Sequence, residues 1–134
     1  MARFLHTADW QLGMVRAFLP VEAQARFDEA RIDAVRALGR LAEAEGCDFV
    51  VVCGDVFEHA QIGAKAAGRS MRALKALPVP VYLLPGNHDP LNAGSVYRSR
   101  WFTTERPEQV TVLDAPGLVR ISAEVELLVA PWYS

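Results

Sequence analysis

Short runs of apolar, β-branched and aromatic residues alternate along this chain with longer segments that have helical spacing. The runs have the length and composition of buried strands. The main candidates are Phe4 to Thr7, Phe49 to Cys53, Val81 to Leu84 and Val125 to Ala130, with weaker ones at Val110 to Leu113 and Leu118 to Ile121.

Two segments between these runs have the periodicity of amphipathic helices. In Val21 to Glu45 apolar residues recur every three or four positions, with Pro20 in front and Gly46 behind. Ala64 to Ala76 has a second apolar face and ends before Pro78, which cannot continue a helix. The order strand, helix, strand, helix, strand predicts an α/β fold with a largely parallel or mixed sheet and two main helices.

The longest loop-like stretch, Pro85 to about Pro107, is rich in Gly, Asn, Ser and Pro and is predicted to be the most mobile surface. Arg98, Arg100 and Arg106 alternate there with aromatic residues. This pattern could hold a DNA backbone and stack bases. The plainer interpretation is that the aromatic side chains pin the loop to the core.

Composition adds little about function. The chain has 134 residues, 51% of them hydrophobic, which fits one domain with a real core. The net charge is only −2, so DNA binding would need a local basic patch. The start does not have the pattern of a signal peptide, and no apolar run approaches a membrane span of roughly 18 residues. We therefore expect a soluble, cytoplasmic protein with no membrane partner.

Three side chains have ordinary interpretations. Cys47 and Cys53 lie in or beside an apolar run without metal-site spacing, so we expect two buried, reduced thiols. His6 lies inside an apolar strand and is expected to be a buried core or supporting histidine rather than a ligand.

The chemically informative feature is positional: polar residues follow each of the first three strands at once. Asp9 and Gln11 follow the first strand, Asp55 follows the second, and Asn87 and His88 follow the third. Ligands of open α/β sheets collect at the carboxyl ends of the strands, so these loops should share one crevice. Two carboxylates there would repel each other unless a cation lay between them. The mixture of carboxylate, amide and imidazole suits a divalent ion such as Mn²⁺.

Three blocks of the sequence also resemble a known family. They are Phe4 to Gly13 (FLHTADWQLG), Gly54 to Glu58 (GDVFE) and Gly86 to Asp89 (GNHD). In this order they resemble the first three motifs of calcineurin-like metallophosphoesterases, which read DxH, GDxxD or a close variant, and GNH with an acid following. The opening, the GDVFE form and the closing Ala130 to Trp132 resemble the SbcD-type nuclease subunits of bacterial DNA repair exonucleases more specifically.

The resemblance implies a four-layer α/β/β/α sandwich in the complete domain and two divalent ions, with Mn²⁺ as the first choice and Mg²⁺ or Fe²⁺ as alternatives. By position it places Asp9 and Gln11 on the first metal and Asn87 on the second. Asp55 would bridge both ions. His88 would stabilise or protonate near the scissile phosphate, and Asp89 would orient His88.

Two departures from the family pattern matter. Gln11 replaces the usual histidine of DxH with a weaker metal donor. The later histidine and the GHxH block are also absent, because the last histidine is His88. We therefore expect residues 1–134 to be the N-terminal portion of a metallophosphoesterase domain that is inactive or weak by itself. Glu58, as the final acid of GDxxD, is a weaker candidate for a supporting role, whereas His59 is expected at the surface.

The expected function is metal-dependent phosphodiester hydrolysis by the nuclease subunit of an SbcCD-type DNA repair exonuclease. Its implied partners are DNA and an SbcC-like ABC-type ATPase, and a homodimer is left open. Two alternatives remain. One is an enzyme of the same superfamily that acts on a small phosphodiester or a phosphoprotein. The other is a metal-deficient scaffold or partner-binding module, which Gln11 and the missing motifs suggest.

Overall fold

A computed structural model describes the whole chain, residues 1–134. Strands and helices alternate through the first half, as the sequence pattern predicts, and a hairpin closes the chain. The elements are β1 (Phe4–Thr7), α1 (Val21–Ala44), β2 (Phe49–Cys53), α2 (Ala64–Lys75), β3 (Val81–Leu84), a 3₁₀ turn η1 (Val96–Arg98), α3 (Arg100–Glu105), β4 (Val110–Val112), β5 (Gly117–Arg120) and β6 (Glu126–Val129).

The central sheet has four strands in the order β1-β2-β3-β4, and every neighbouring pair is parallel. The predicted α/β fold with a largely parallel sheet and two main helices is therefore confirmed. β5 and β6 form a separate antiparallel pair. All four carboxyl ends of the central strands lie at the same edge, which is where a ligand site forms in folds of this kind.

One face of the sheet carries the main core. Val50 and Val52 of β2 and Leu83 of β3 point to this face and are almost fully buried in one cluster with Val35 of α1 and Leu74 of α2. Complete burial of a side chain of this size stabilises the fold by about 1.5–3 kcal/mol. The two long helices therefore hold the middle strands, and with them the loops at the carboxyl edge.

The opposite face of the sheet is only partly covered. Phe4 stacks on Phe49 there, with ring centroids 5.0 Å apart, yet it remains 51% exposed. His6 and Cys53 on the same face are exposed, so the prediction of a buried Cys53 thiol and the core position expected for His6 are wrong. Both cysteines are free, as predicted, and Cys47 is half-buried. Alternation along a strand explains the error, because every second residue of β1 and β2 faces away from the helices.

The stretch from Pro85 to Pro107 is more ordered than predicted, since it contains η1 and α3. Tyr97 and Phe102 are buried and meet Phe57, the residue two positions after Asp55, in edge-to-face contacts. The interpretation of the stretch as loop-like throughout is therefore wrong. For these two rings, the interpretation that aromatic side chains pin the segment to the core is confirmed.

No helix of the structure is both long enough and apolar enough to cross a bilayer.

Replacing Leu83 by alanine should lower the free energy of unfolding by about 2–5 kcal/mol, because the side chain is fully buried between the sheet and the helices. Urea denaturation followed by circular dichroism measures this change. Leu118→Ala is the matched control, since Leu118 is 69% exposed and should change stability by less than about 0.5 kcal/mol. Equal effects of the two variants would contradict the proposed core.

Candidate metal centre

The loops that follow β1 and β2 run side by side at the carboxyl edge. The amide of Asp9 donates to the carbonyl of Gly54 (3.0 Å), and the amide of Gln11 donates to the carbonyl of Asp55 (2.9 Å). The pairing continues over the next residues as a short parallel bridge. The backbone therefore carries Asp9, Gln11 and Asp55 into one crevice, as the sequence predicts.

These three residues share an uncommon backbone conformation. Asp9, Gln11 and Asp55 have φ values of 55°, 49° and 53°, and no other non-glycine residue of the chain has a positive φ. For an L-residue the left-handed region costs about 1–2 kcal/mol. Strain of this kind persists only where the surrounding contacts enforce it, and it is typical of functional sites. All three residues belong to the predicted metal ligands.

The third loop joins the crevice through the backbone of His88. Its amide donates to Oδ1 of Asp55 at 3.0 Å, which fixes one oxygen of that carboxylate. Asp55 itself is buried, whereas Asn87 beside His88 is exposed. Four predicted ligands and the predicted general acid thus lie on three adjoining loops.

Gly86 permits this close approach of the second and third loops. A Cβ built at Gly86 would lie 2.4 Å from Oδ1 of Asp55 and 2.6 Å from its backbone nitrogen. Gly54 approaches from the other loop, with its own Cβ position 3.4 Å from Cα of Gly86. No other residue type fits position 86 without moving Asp55.

Asp89 has a different role from the predicted one. Its carboxylate is fully buried and accepts hydrogen bonds from the backbone amides of Gly86 (2.8 Å), Asp55 (3.2 Å), Val56 (2.9 Å) and Phe57 (3.2 Å). The hydroxyl of a buried tyrosine, Tyr97, donates to it as well. The three bonds from the amides of Asp55, Val56 and Phe57 tie the loop after β3 to the loop after β2.

The prediction that Asp89 orients the His88 ring is therefore wrong, because its oxygens face the amides and Tyr97 instead. Burial raises the pKa of the Asp89 carboxyl, and the hydrogen bonds from Tyr97, Gly86 and Phe57 oppose that rise. Burial, together with the nearby Asp89, also raises the pKa of Tyr97 well above its ordinary value. The tyrosine therefore keeps its proton and acts as a donor.

Glu58 is the acid that lies beside the His88 ring. Nδ1 of His88 is 2.9 Å from the carbonyl oxygen of Glu58 and 3.7 Å from its carboxylate. The carbonyl, followed by weaker contributions from nearby carboxylates, raises the pKa of His88, while partial desolvation lowers it. The sequence analysis gave Glu58 only a weak supporting role, although its position at the end of the GDxxD-like block indicated a place at the site. His59 is exposed, as predicted.

The donor set fits a divalent ion in part. Asp9 and Asp55 offer carboxylates, and Gln11 and Asn87 offer amide oxygens, all of which suit hard or borderline cations. The amide of His88 holds Oδ1 of Asp55 in place. Oε2 of Glu58 is buried without a hydrogen-bond partner, which destabilises the fold unless a donor or a cation lies beside it. However, no cluster of three or more His, Cys, Asp or Glu side chains forms in the structure. Gln11 offers only an amide at a position where an imidazole would be a stronger donor.

Comparison with known proteins agrees with this geometry. The family model for calcineurin-like phosphoesterases matches residues 2–129. An uncharacterised metallophosphoesterase of Bacillus subtilis (strain 168), YhaO, is 30% identical over 118 residues, which are 84% of this chain and 28% of YhaO. The SbcD subunit of the SbcCD nuclease is 28% identical in B. subtilis (90% of this chain, 33% of the relative) and 35% identical in Rhodobacter capsulatus (66% and 22%).

The chain belongs to the calcineurin-like phosphoesterase family, since the match covers nearly its whole length. Members of this metallophosphoesterase family hydrolyse phosphoesters with divalent metals. The chain spans about a third or less of the length of the curated relatives it matches.

Asp89→Asn should destabilise the protein by about 2–4 kcal/mol, because the amide nitrogen would face backbone donors and leave buried groups unpaired. Urea denaturation measures the loss. Asp114→Asn is the matched control on an exposed aspartate and should have no measurable effect. If both variants unfold at the same urea concentration as the wild type, Asp89 does not hold the two loops together.

Gly86→Ala should displace Asp55, because the added Cβ would overlap its Oδ1 and its backbone nitrogen. We expect a stability loss of about 1–3 kcal/mol, the usual cost of overpacking. Gly63→Ala is the control, since a Cβ at Gly63 meets nothing within 4 Å. Thermal melts measure the stability of both variants. A Gly86→Ala protein as stable as the control would show that the loops can accommodate a Cβ at position 86.

Proposed function

We propose that this chain contributes the first half of a dinuclear metal site for phosphodiester hydrolysis, in the nuclease subunit of an SbcCD-type DNA repair exonuclease. The observation that carries the proposal is the convergence of Asp9, Gln11 and Asp55, all in the left-handed backbone region, with Asn87 and His88 at one sheet edge. Similarity to the SbcD subunits of two bacterial SbcCD nucleases supports the nuclease assignment.

In this proposal Asp9 and Gln11 would hold one ion, Asn87 would hold the other, and Asp55 would serve as a ligand to both. Bound ions would supply positive charge against the phosphodiester and an activated water as the nucleophile. Mn²⁺ is the first choice, with Mg²⁺ or Fe²⁺ as alternatives, because mixed carboxylate and amide oxygens suit all three.

His88 would act on the phosphate rather than on the metal. Its ring is partly exposed, and its Nδ1 is occupied by the Glu58 carbonyl, so Nε2 remains for the substrate. The Glu58 carbonyl raises the pKa of His88, and an imidazole at this position suits stabilisation of developing negative charge or donation of a proton. In the neutral form of His88 the proton is on Nδ1, because Nδ1 contacts the Glu58 carbonyl and a carbonyl can only accept.

The partners follow from the nuclease assignment. DNA would be the substrate, and an SbcC-like ABC-type ATPase would be the associated subunit. The exposed arginines Arg98, Arg100 and Arg106 offer positive charge on the segment that Asp89 and Tyr97 tie to the site. Phosphate contacts of this type do not require base recognition.

A second candidate is a metal-deficient binding module. Gln11 at the position of a family histidine, and the lack of a cluster of three acidic, histidine or cysteine side chains, favour it. The chain would then keep the phosphoesterase fold as a scaffold for a partner.

Calorimetric titration with Mn²⁺ and cleavage of duplex DNA ends distinguish these functions, with a chromogenic phosphodiester as a second substrate.

Asp55→Asn keeps the shape of the side chain and the acceptor for the His88 amide but removes the negative charge. It should reduce metal-dependent cleavage by more than about a hundredfold, because loss of a mere supporting partner already costs 10- to 100-fold. Asp114→Asn is the matched control. Cleavage that is unchanged in Asp55→Asn would overturn the proposal, and turnover of the diester without DNA cleavage would favour a small substrate.

Gln11→His should tighten Mn²⁺ binding, because it restores an imidazole donor in place of a weak amide donor. Calorimetry measures the dissociation constant, with Gln61→His as a control that adds a histidine at an exposed loop position. If neither the wild type nor Gln11→His binds Mn²⁺, the scaffold function is favoured.

A further inference from the structure

Arg31, in the middle of α1, reaches across to the loop that contains the first predicted ligands. Its Nη1 donates to the carbonyl oxygen of Trp10 at 2.8 Å, and its Nη2 lies 3.2 Å from Sδ of Met14. The guanidinium also lies over the ring of Phe27, 4.7 Å from the centroid. The side chain is therefore held between α1 and the loop.

The contact with the Trp10 carbonyl matters because Trp10 lies between Asp9 and Gln11, both of which have left-handed backbone conformations. The side chain of Trp10 is buried, and its Nε1 donates to the hydroxyl of Thr7 at 3.0 Å. Because the carbonyl of one residue and the amide of the next form one rigid plane, a bond that fixes the Trp10 carbonyl also restrains ψ of Trp10 and φ of Gln11.

The position of Arg31 is also costly. Its Nε is buried and has no hydrogen-bond partner, and an unpaired buried donor of this kind destabilises the fold. An apolar side chain would avoid that loss. The charged fork is therefore best explained by what its terminal nitrogens hold, since hydrogen bonds from a charged donor are about twice as strong as neutral ones.

We propose that Arg31 is a positioning residue of the candidate metal centre, which holds the Trp10 carbonyl so that Gln11 keeps its strained conformation. The conformation of Gln11 is maintained by this bond and by the bond from its own amide to Asp55, whereas Asp9 is held by the bond from its amide to Gly54. Arg31 contacts neither predicted ligand by itself and acts through the backbone between them. The part of this proposal that concerns metal affinity rests on the proposed function, whereas the part that concerns the loop does not.

Amide hydrogen exchange on the 134-residue chain tests the loop directly. In Arg31→Met the amides of Gln11 and Leu12 should exchange at least about tenfold faster, while those of Val50 to Val52 in β2 stay unchanged. Arg31→Lys should give an intermediate result, since lysine keeps the charge but not the planar fork. Arg40→Met, on an exposed position of the same helix with no side-chain hydrogen bond, is the matched control and should behave as wild type.

Unchanged exchange at Gln11 and Leu12 would overturn the proposal. A uniform rise across the sheet in both Arg31 variants would also overturn it, because that pattern marks a general stability role. If Arg31→Met does not fold, the lysine variant decides by the same comparison of loop and strand amides.

Mn²⁺ calorimetry on the same proteins tests the consequence for the site. Arg31→Met should bind about tenfold more weakly than wild type and Arg40→Met, the lower end of the effect of losing a supporting contact. If the loop amides respond as expected but wild type binds no Mn²⁺, the positioning role stands and the proposed metal function fails. If wild type binds and Arg31→Met binds equally well, the loop contact has no bearing on the metal and the proposal is overturned.

Discussion

The arrangement of the site depends on one buried carboxylate. Asp89 gathers the backbone amides of the loop after β2 together with the amide of Gly86, and Tyr97 supplies a further donor. A buried carboxylate is tolerated only when donors surround it, and here the donors belong to the loops that carry the candidate ligands. The interaction that satisfies Asp89 therefore also sets the spacing between Asp55 and His88.

The rest of the centre follows from that constraint. Gly86 lets the second and third loops approach to a distance that no Cβ would permit. The loop after β1 then pairs with the loop after β2, and three residues of these two loops are forced into left-handed conformations. Such strain is stable because hydrogen bonds enforce it from several sides, with Arg31 adding support from the helix layer. The helices thus contribute to the site as well as to the core.

The fold identifies a phosphoesterase, whereas the donor set only partly fits a metal centre. The family assignment is firm and the frame of the site is well built, yet Gln11 is a weak donor where an imidazole is expected. A precise frame with a poor donor set is consistent with a centre that needs further ligands. It is also consistent with a scaffold that keeps the frame for binding alone. Metal affinity, rather than the fold, separates these two possibilities.

By itself the sequence determined the main strands, the two long helices, a largely parallel or mixed sheet and the crevice residues, because strand periodicity and polar residues after each strand are local signals. Only the tertiary structure decided which acid serves which partner. Asp89 is adjacent to His88 in sequence but faces the amides of the second loop, while Glu58, thirty positions earlier, meets the ring. The order of the Pro85 to Pro107 segment, the exposure of His6 and Cys53, and the reach of Arg31 were likewise decided by packing between elements that are distant in sequence, which no local pattern encodes.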